Sequence, residues 1–298
     1  MKIIDKLDNS MMMEFASCPR KFYYRYALNL TSKDGSAVFK PEFGSALHSA
    51  LEAHYLGEGQ QKAIEAFVKH WMPYEGHDVK NIRTCSKGIK IVEEYIKTFP
   101  FEDEHFEVVQ NKDVELAGAI DMGNFLFLFR ADLLVRDKNN GAYKVLDHKT
   151  TAYKGFLTPK PNQQLCGYAF ALGEQTGEKI ETAIINILHF TKLQINFMRE
   201  EISFPADYIE QEWVKDVRLW AENIKNSCRI DHFPKNTSMC TAYGGCQFIH
   251  LCKHKMGSPT HSTLLSSLYE VHKWEPYEGA RDDLLEERKN KREGETVK

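Results

Sequence analysis

The stretch Asn124–Thr151, NFLFLFRADLLVRDKNNGAYKVLDHKTT, leaves the chain few choices. Two apolar runs of strand length flank a polar turn containing Asn139, Asn140 and Gly141, the pattern of a β-hairpin. Asp132, Asp147 and Lys149 are charged where a buried strand should be apolar. Strand side chains alternate, so Asp147 and Lys149 share a face while His148 points the other way and leaves its carbonyl near the carboxylates. Across the hairpin, Asp132 comes within reach of Asp147. Beside Val145 and Leu146 an unpaired charge would be costly. The three charges form either a structural ion pair or a site for a hard divalent cation and a water to be activated.

The chain has 298 residues and a net charge of -3, so no global basic field advertises nucleic acid, and attraction for DNA must come from local basic patches and metal ions. No apolar run approaches membrane-span length, and the N-terminus MKIIDKLDNSMMMEF is too acidic and broken for a secretory signal. The expectation is a cytosolic protein without a membrane partner. In that setting seven cysteines argue for a metal or cluster site over a disulfide framework.

Other segments offer pieces to the hairpin. Residues 10–28 read as a helix broken at Cys18-Pro19. EFGSALHSALEAHYL, from Glu42, is a helix with Phe43, Leu47, Leu51 and Tyr55 on its apolar stripe and His48 and Glu52 four apart. Residues 60–99 are helical in pattern, after which FEVVQ and DVELAGAID read as strands. Glu115, in the second, can approach the carboxylates; Asp121 is a competing acid in a turn-rich neighbourhood. Residues 152–162 form a loop, and Asn162 is placed to cap a helix bearing Gln164 and Tyr168 on one face. TAIINILHF is a further strand, followed by a polar strand to about residue 204 and a helix near 206–225.

Near the C-terminus, Cys240, Cys246 and Cys252 recur with five residues between neighbours, and Gly244 and Gly245 allow a tight turn. Three thiolates need a fourth ligand, for which Cys18 is the choice. Four thiolates suit zinc or a four-iron cluster, and His250 or His254 could substitute at zinc. Such a site would close a very long loop and clamp the chain ends together.

The order His48, Asp132, Asp147-His148-Lys149, Gln164-x-x-x-Tyr168 resembles the RecB-type branch of the PD-(D/E)XK nuclease superfamily. Cys18 with the late Cys240, Cys246 and Cys252 resembles its iron–sulfur members, the group that includes AddB and the CRISPR-adaptation nucleases. CPRKFYYR near the start and CTAYGGCQFIHLC near the end are most similar to phage and prophage exonuclease-like proteins of that branch. The resemblance implies an α/β fold of restriction-endonuclease type: a mixed sheet flanked by helices, with the terminal segments joined by a [4Fe–4S] cluster on Cys18, Cys240, Cys246 and Cys252. It implies one nuclease domain over 1–257, with a helical insertion at about 42–100 and a cluster loop at about 234–255, then a charged tail over 258–298. It further implies Mg2+ or Mn2+ held by His48, Asp132, Asp147 and the His148 carbonyl, with Glu115 as a further candidate. Lys149, Asp132 and Asp147 would be catalytic, and Gln164 and Tyr168 would position DNA.

The function expected is a metal-dependent DNA exonuclease in phage-type recombination or DNA processing in a bacterial cytoplasm, with a recombination or single-strand-annealing protein as a partner. The alternatives are a non-cleaving DNA-end-binding or partner-recruiting protein on the same fold and a zinc-stapled endonuclease.

Overall fold

The computed structural model describes residues 3–34, 39–78, 80, 82–108, 114–152, 162–205, 207–242 and 245–272. In chain order the elements are β1 (Lys6–Asp8), α1 (Asn9–Ser17), α2 (Pro19–Phe22), β2 (Leu30–Ser32), α3 (Phe39–Tyr55), α4 (Gln60–Trp71), α5 (Cys85–Thr98), β3 (Phe106–Val108) and β4 (Val114–Asp121). Then come β5 (Leu126–Asp137), β6 (Tyr143–Thr151), α6 (Gln163–Thr176), β7 (Thr182–Phe190), β8 (Ile195–Ser203), α7 (Val214–Arg229), α8 (Ile249–Cys252), α9 (Pro259–Leu268) and β9 (Tyr269–Val271). The chain forms two compact units: 35–116 with 130–209, and 1–34 with 117–129 and 210–298.

The first of these units is a mixed sheet with helices. β5 and β6 form the antiparallel hairpin, with Leu133 opposite Leu146, so Asp132 and Asp147 follow at neighbouring positions. β6 runs parallel to β7, which needs a crossover, and α6 supplies it. β8 pairs antiparallel with β7, and β3 with the far end of β5. The core joins Phe43, Leu47 and Leu51 of α3 to Trp71 of α4, Ile91 of α5 and Leu133 and Leu146 of the hairpin. Each such side chain contributes about 2 kcal/mol on burial. α5 lies so close to α4 that a Cβ at Gly88 would stand 1.8 Å from the Phe67 ring, so only glycine fits. α6 begins where Asn162 accepts a hydrogen bond from the Leu165 amide at 3.0 Å and ends at Gly177, φ 74°.

In the other unit, Asp8 caps α1 by accepting from the Met11 amide at 2.7 Å. The helix stops at Cys18, which is extended, and Pro19 starts α2. β1 runs parallel to the first residues of β5. The long helix reads best as a π-helical turn at Ile209–Trp213 followed by α7, later in the chain than the sequence suggests. Its Trp213 meets Phe127 edge to face. The expected charged tail over 258–298 is folded at its start: α9 and β9 lie there, and β9 pairs antiparallel with β2. Its apolar residues explain this, since Tyr269 is buried in one cluster with Tyr24, Leu30, Phe248 and Leu251. Residues 273–298, the loop residues 153–161 and Gly244 lie outside the described residues. Among the described residues, no helix is long and apolar enough to cross a membrane.

Candidate metal centre

Three segments converge where α3 faces the hairpin. His48 projects from α3, Glu115 from β4 and Asp132 from β5, and one ligating atom of each lies within 4.8 Å of the others. His48 Nδ1 is 3.4 Å from Asp132 Oδ1 and 3.9 Å from Glu115 Oε1. The close approach of α3 to β6 is set at Gly44, where a Cβ would stand 2.9 Å from Thr150 Oγ1. Glu115 has a positive φ of 48°, a costly backbone state for a non-glycine residue.

The electrostatics fit a cation at the centre of the trio. Burial alone would lower the His48 pKa, but Asp132, then Glu115, outweigh it and raise it to about 9. Burial, then the Asp132 charge, pushes the Glu115 carboxyl up. Burial would raise Asp132 too, but His48, His148 and Lys149 hold it well below the usual carboxylate range. The Asp132 and Glu115 carboxylates thus favour the protonated form of His48. Carboxylate oxygens with one imidazole are a donor set for a divalent cation.

Asp147, expected as a metal ligand, is buried beside the trio. It lies outside the close trio, and Lys149 Nζ stands 2.8 Å from its Oδ2. Burial is the main reason its pKa rises, with Lys149 opposing and Asp132 adding to the rise. Lys149 also donates to Gln164 Oε1 at 2.7 Å, and Gln164 Nε2 donates to Tyr168 Oη at 2.7 Å. Gln164 and Tyr168 thus hold the lysine by a chain of hydrogen bonds. The His148 amide donates to Asp132 Oδ2 at 2.5 Å, and its ring is buried, with a pKa lowered to about 3 chiefly by that burial. Asp121 is exposed at the end of β4 and its carboxylate accepts from the Gly123 amide at 2.7 Å.

A cavity of about 570 Å³ opens over the trio, lined among others by Glu52, Arg130, Lys149 and Thr150. That is room for a sizeable ligand. Sequence reasoning missed Arg130 and the fully buried Asn186, whose Nδ2 lies 2.7 Å from His148 Nδ1. A lone asparagine inside the apolar run TAIINILHF was the available signal.

Within the other unit, Cys18, Cys240, Cys246 and Cys252 line one cavity of about 220 Å³. Cys18 Sγ accepts from the Asn236 amide at 3.5 Å. Among the described residues, no three of these thiols lie within 4.8 Å of one another. Neither His250 nor His254 lines the cavity.

The sequence pattern of the PD-(D/E)XK nuclease superfamily matches residues 10–253, and the chain belongs to that superfamily. No curated protein matches the chain. Among solved structures, the "Putative exonuclease" from Eubacterium rectale is 14% identical, over 88% of this chain and 93% of that one, with a TM-score of 0.47. The crystal structure of SSO0001 is 17% identical, over 84% of this chain and 86% of that one, with a TM-score of 0.37.

Proposed function

We propose that the chain is a Mg2+- or Mn2+-dependent DNA exonuclease of the RecB/AddB-type iron–sulfur branch, acting in phage-type recombination or DNA processing. The observation that carries the metal-dependent nuclease reading is the convergence of His48, Glu115 and Asp132 beside the Lys149–Asp147 pair. The exonuclease preference and the biological setting rest on the sequence resemblance. A divalent ion in the trio would supply a bound water of lowered pKa and neutralise charge building on the phosphate. His48, Glu115 and Asp132 would be its ligands, with Asp147 and the His148 carbonyl as further candidates. Lys149, partly exposed beneath the cavity, would orient the attacking water and stabilise the developing phosphate charge. Gln164 and Tyr168 keep its ammonium from folding onto Asp147 alone, and Arg130, on the cavity wall, would meet the DNA backbone.

Four cysteines around one cavity support a metal or cluster site there, with the cluster favoured by the sequence resemblance and zinc the alternative. Either tetrathiolate site would be anionic and would sit among Lys21 and Lys235 at the cavity wall and the buried Arg20. Cys18, Cys240, Cys246 and Cys252 would be its four ligands.

The test is digestion of end-labelled linear DNA, with circular DNA alongside, in Mg2+ or Mn2+, for wild type and Lys149→Ala. Expected is metal-dependent loss of the linear substrate alone, abolished in the variant. Equal activity of the two proteins would remove the site assignment; cleavage of circles would replace exonuclease by endonuclease. Tight binding of DNA ends without cleavage would favour the non-cleaving reading.

A further inference from the structure

Behind His148, a second set of polar side chains runs away from the metal centre through the core. Asn186 is the cross-strand partner of His148 and is fully buried. Its Nδ2 lies 2.7 Å from His148 Nδ1 and 2.8 Å from Tyr95 Oη. Tyr95 Oη lies 2.6 Å from Tyr55 Oη, which accepts from Arg199 at 3.1 Å. Arg199 donates in turn to Asp103 at 2.6 Å, and its guanidinium lies 3.6 Å from the centre of the Phe99 ring. The Tyr55 ring stacks on His148, centroids 5.6 Å apart and planes 21° from parallel.

This row draws on β6, β7, α5, α3, β8 and the segment before β3. Apolar side chains would fill the same core without the desolvation cost of so many polar groups. What the row has that an apolar core lacks is a fixed direction for the His148 ring. With the Asn186 amide donating, His148 Nδ1 is the acceptor and the ring hydrogen sits on Nε2. The same residue's backbone amide holds Asp132 Oδ2 at 2.5 Å, so the set of the ring and the set of the metal-facing carboxylate are linked through one residue.

We propose that Asn186 is a positioning residue for the metal centre: by holding the His148 ring against Tyr95 and Tyr55, it fixes the backbone amide that aims Asp132 at His48 and Glu115. The inference rests on the metal-site reading above. The arrangement parallels the outer hydrogen bonds that tune metal ligands elsewhere, whose loss typically weakens binding 10–100-fold.

The experiment measures Mn2+ affinity by calorimetry for wild type, Asn186→Leu and Tyr95→Phe, with the His148 tautomer read from its ring 15N shifts. Expected is a Kd raised at least about 10-fold in Asn186→Leu, a smaller rise in Tyr95→Phe, and loss of the single Nε2–H signature in the leucine variant. A lower melting temperature with Kd within twofold of wild type would make the row purely structural and overturn the inference alone. If Asn186→Leu does not fold, Tyr95→Phe, which removes one oxygen, carries the same reading. A wild type that binds no Mn2+ would overturn the metal-site reading and this inference with it.

Discussion

Lys149 donates from β6 to Gln164 Oε1 on α6 at 2.7 Å, while its other close partner is Asp147 at 2.8 Å. A lysine held from two sides has a defined position; held from one, it collapses onto the carboxylate. Gln164→Ala is therefore expected to lower kcat by about 100-fold, the usual effect of a displaced catalytic group, with KM nearly unchanged. Single-turnover and steady-state kinetics check this. A rise in KM at constant kcat would instead make Gln164 a DNA contact, the role the sequence resemblance implies.

Divalent cations should stabilise the folded chain through the trio. At 100 times Kd, Mn2+ adds about 2.7 kcal/mol to wild type, seen as a raised melting temperature that chelation reverses. Asp132→Asn removes the central carboxylate and should remove most of that rise. Melting curves with and without Mn2+ test it; the same metal-induced rise in the variant would mean the ion binds elsewhere.

Burial pushes the Cys246 thiol up, so metal-free protein carries it protonated and loading a cluster releases protons. Protein purified without oxygen is expected to be brown and to hold about four iron atoms per chain. Cys246→Ser should lose colour and iron together and melt at lower temperature. Colourless wild type with one zinc per chain would establish the zinc-stapled alternative.

Asp103 offers a pH test away from the metal. Burial alone would raise its pKa, but Arg199 at 2.6 Å and the His105 amide at 2.8 Å outweigh it and the pKa falls. A depressed carboxylate stabilises the fold above its unfolded pKa of about 3.9. That contribution is lost as pH drops through the lower folded value. Asp103→Asn should cost about 3 kcal/mol at pH 7, where it strands Arg199, and the gap to wild type should narrow below pH 4. Urea unfolding from pH 3 to 7 measures it; a constant gap would mean packing, not charge, is responsible.

Much of the centre was legible because strands and helices repeat their faces at fixed periods. Alternation placed Asp147 and Lys149 together, the stripe of α3 left His48 on a neighbouring face with Glu52, and Asn162 announced the helix that carries Gln164. Cys18 was set with the three late cysteines by its Cys-Pro position at a helix break and by the family resemblance, and the four line one cavity.

Distances between elements have no period, and those only packing could set. Gly44 lets α3 approach β6, and the fitted core brings Glu115 of β4 together with His48 and Asp132. The partners of Lys149 and the row behind His148 likewise join residues remote in sequence. A local pattern determines which way a side chain points, but only the fitted core determines what it meets.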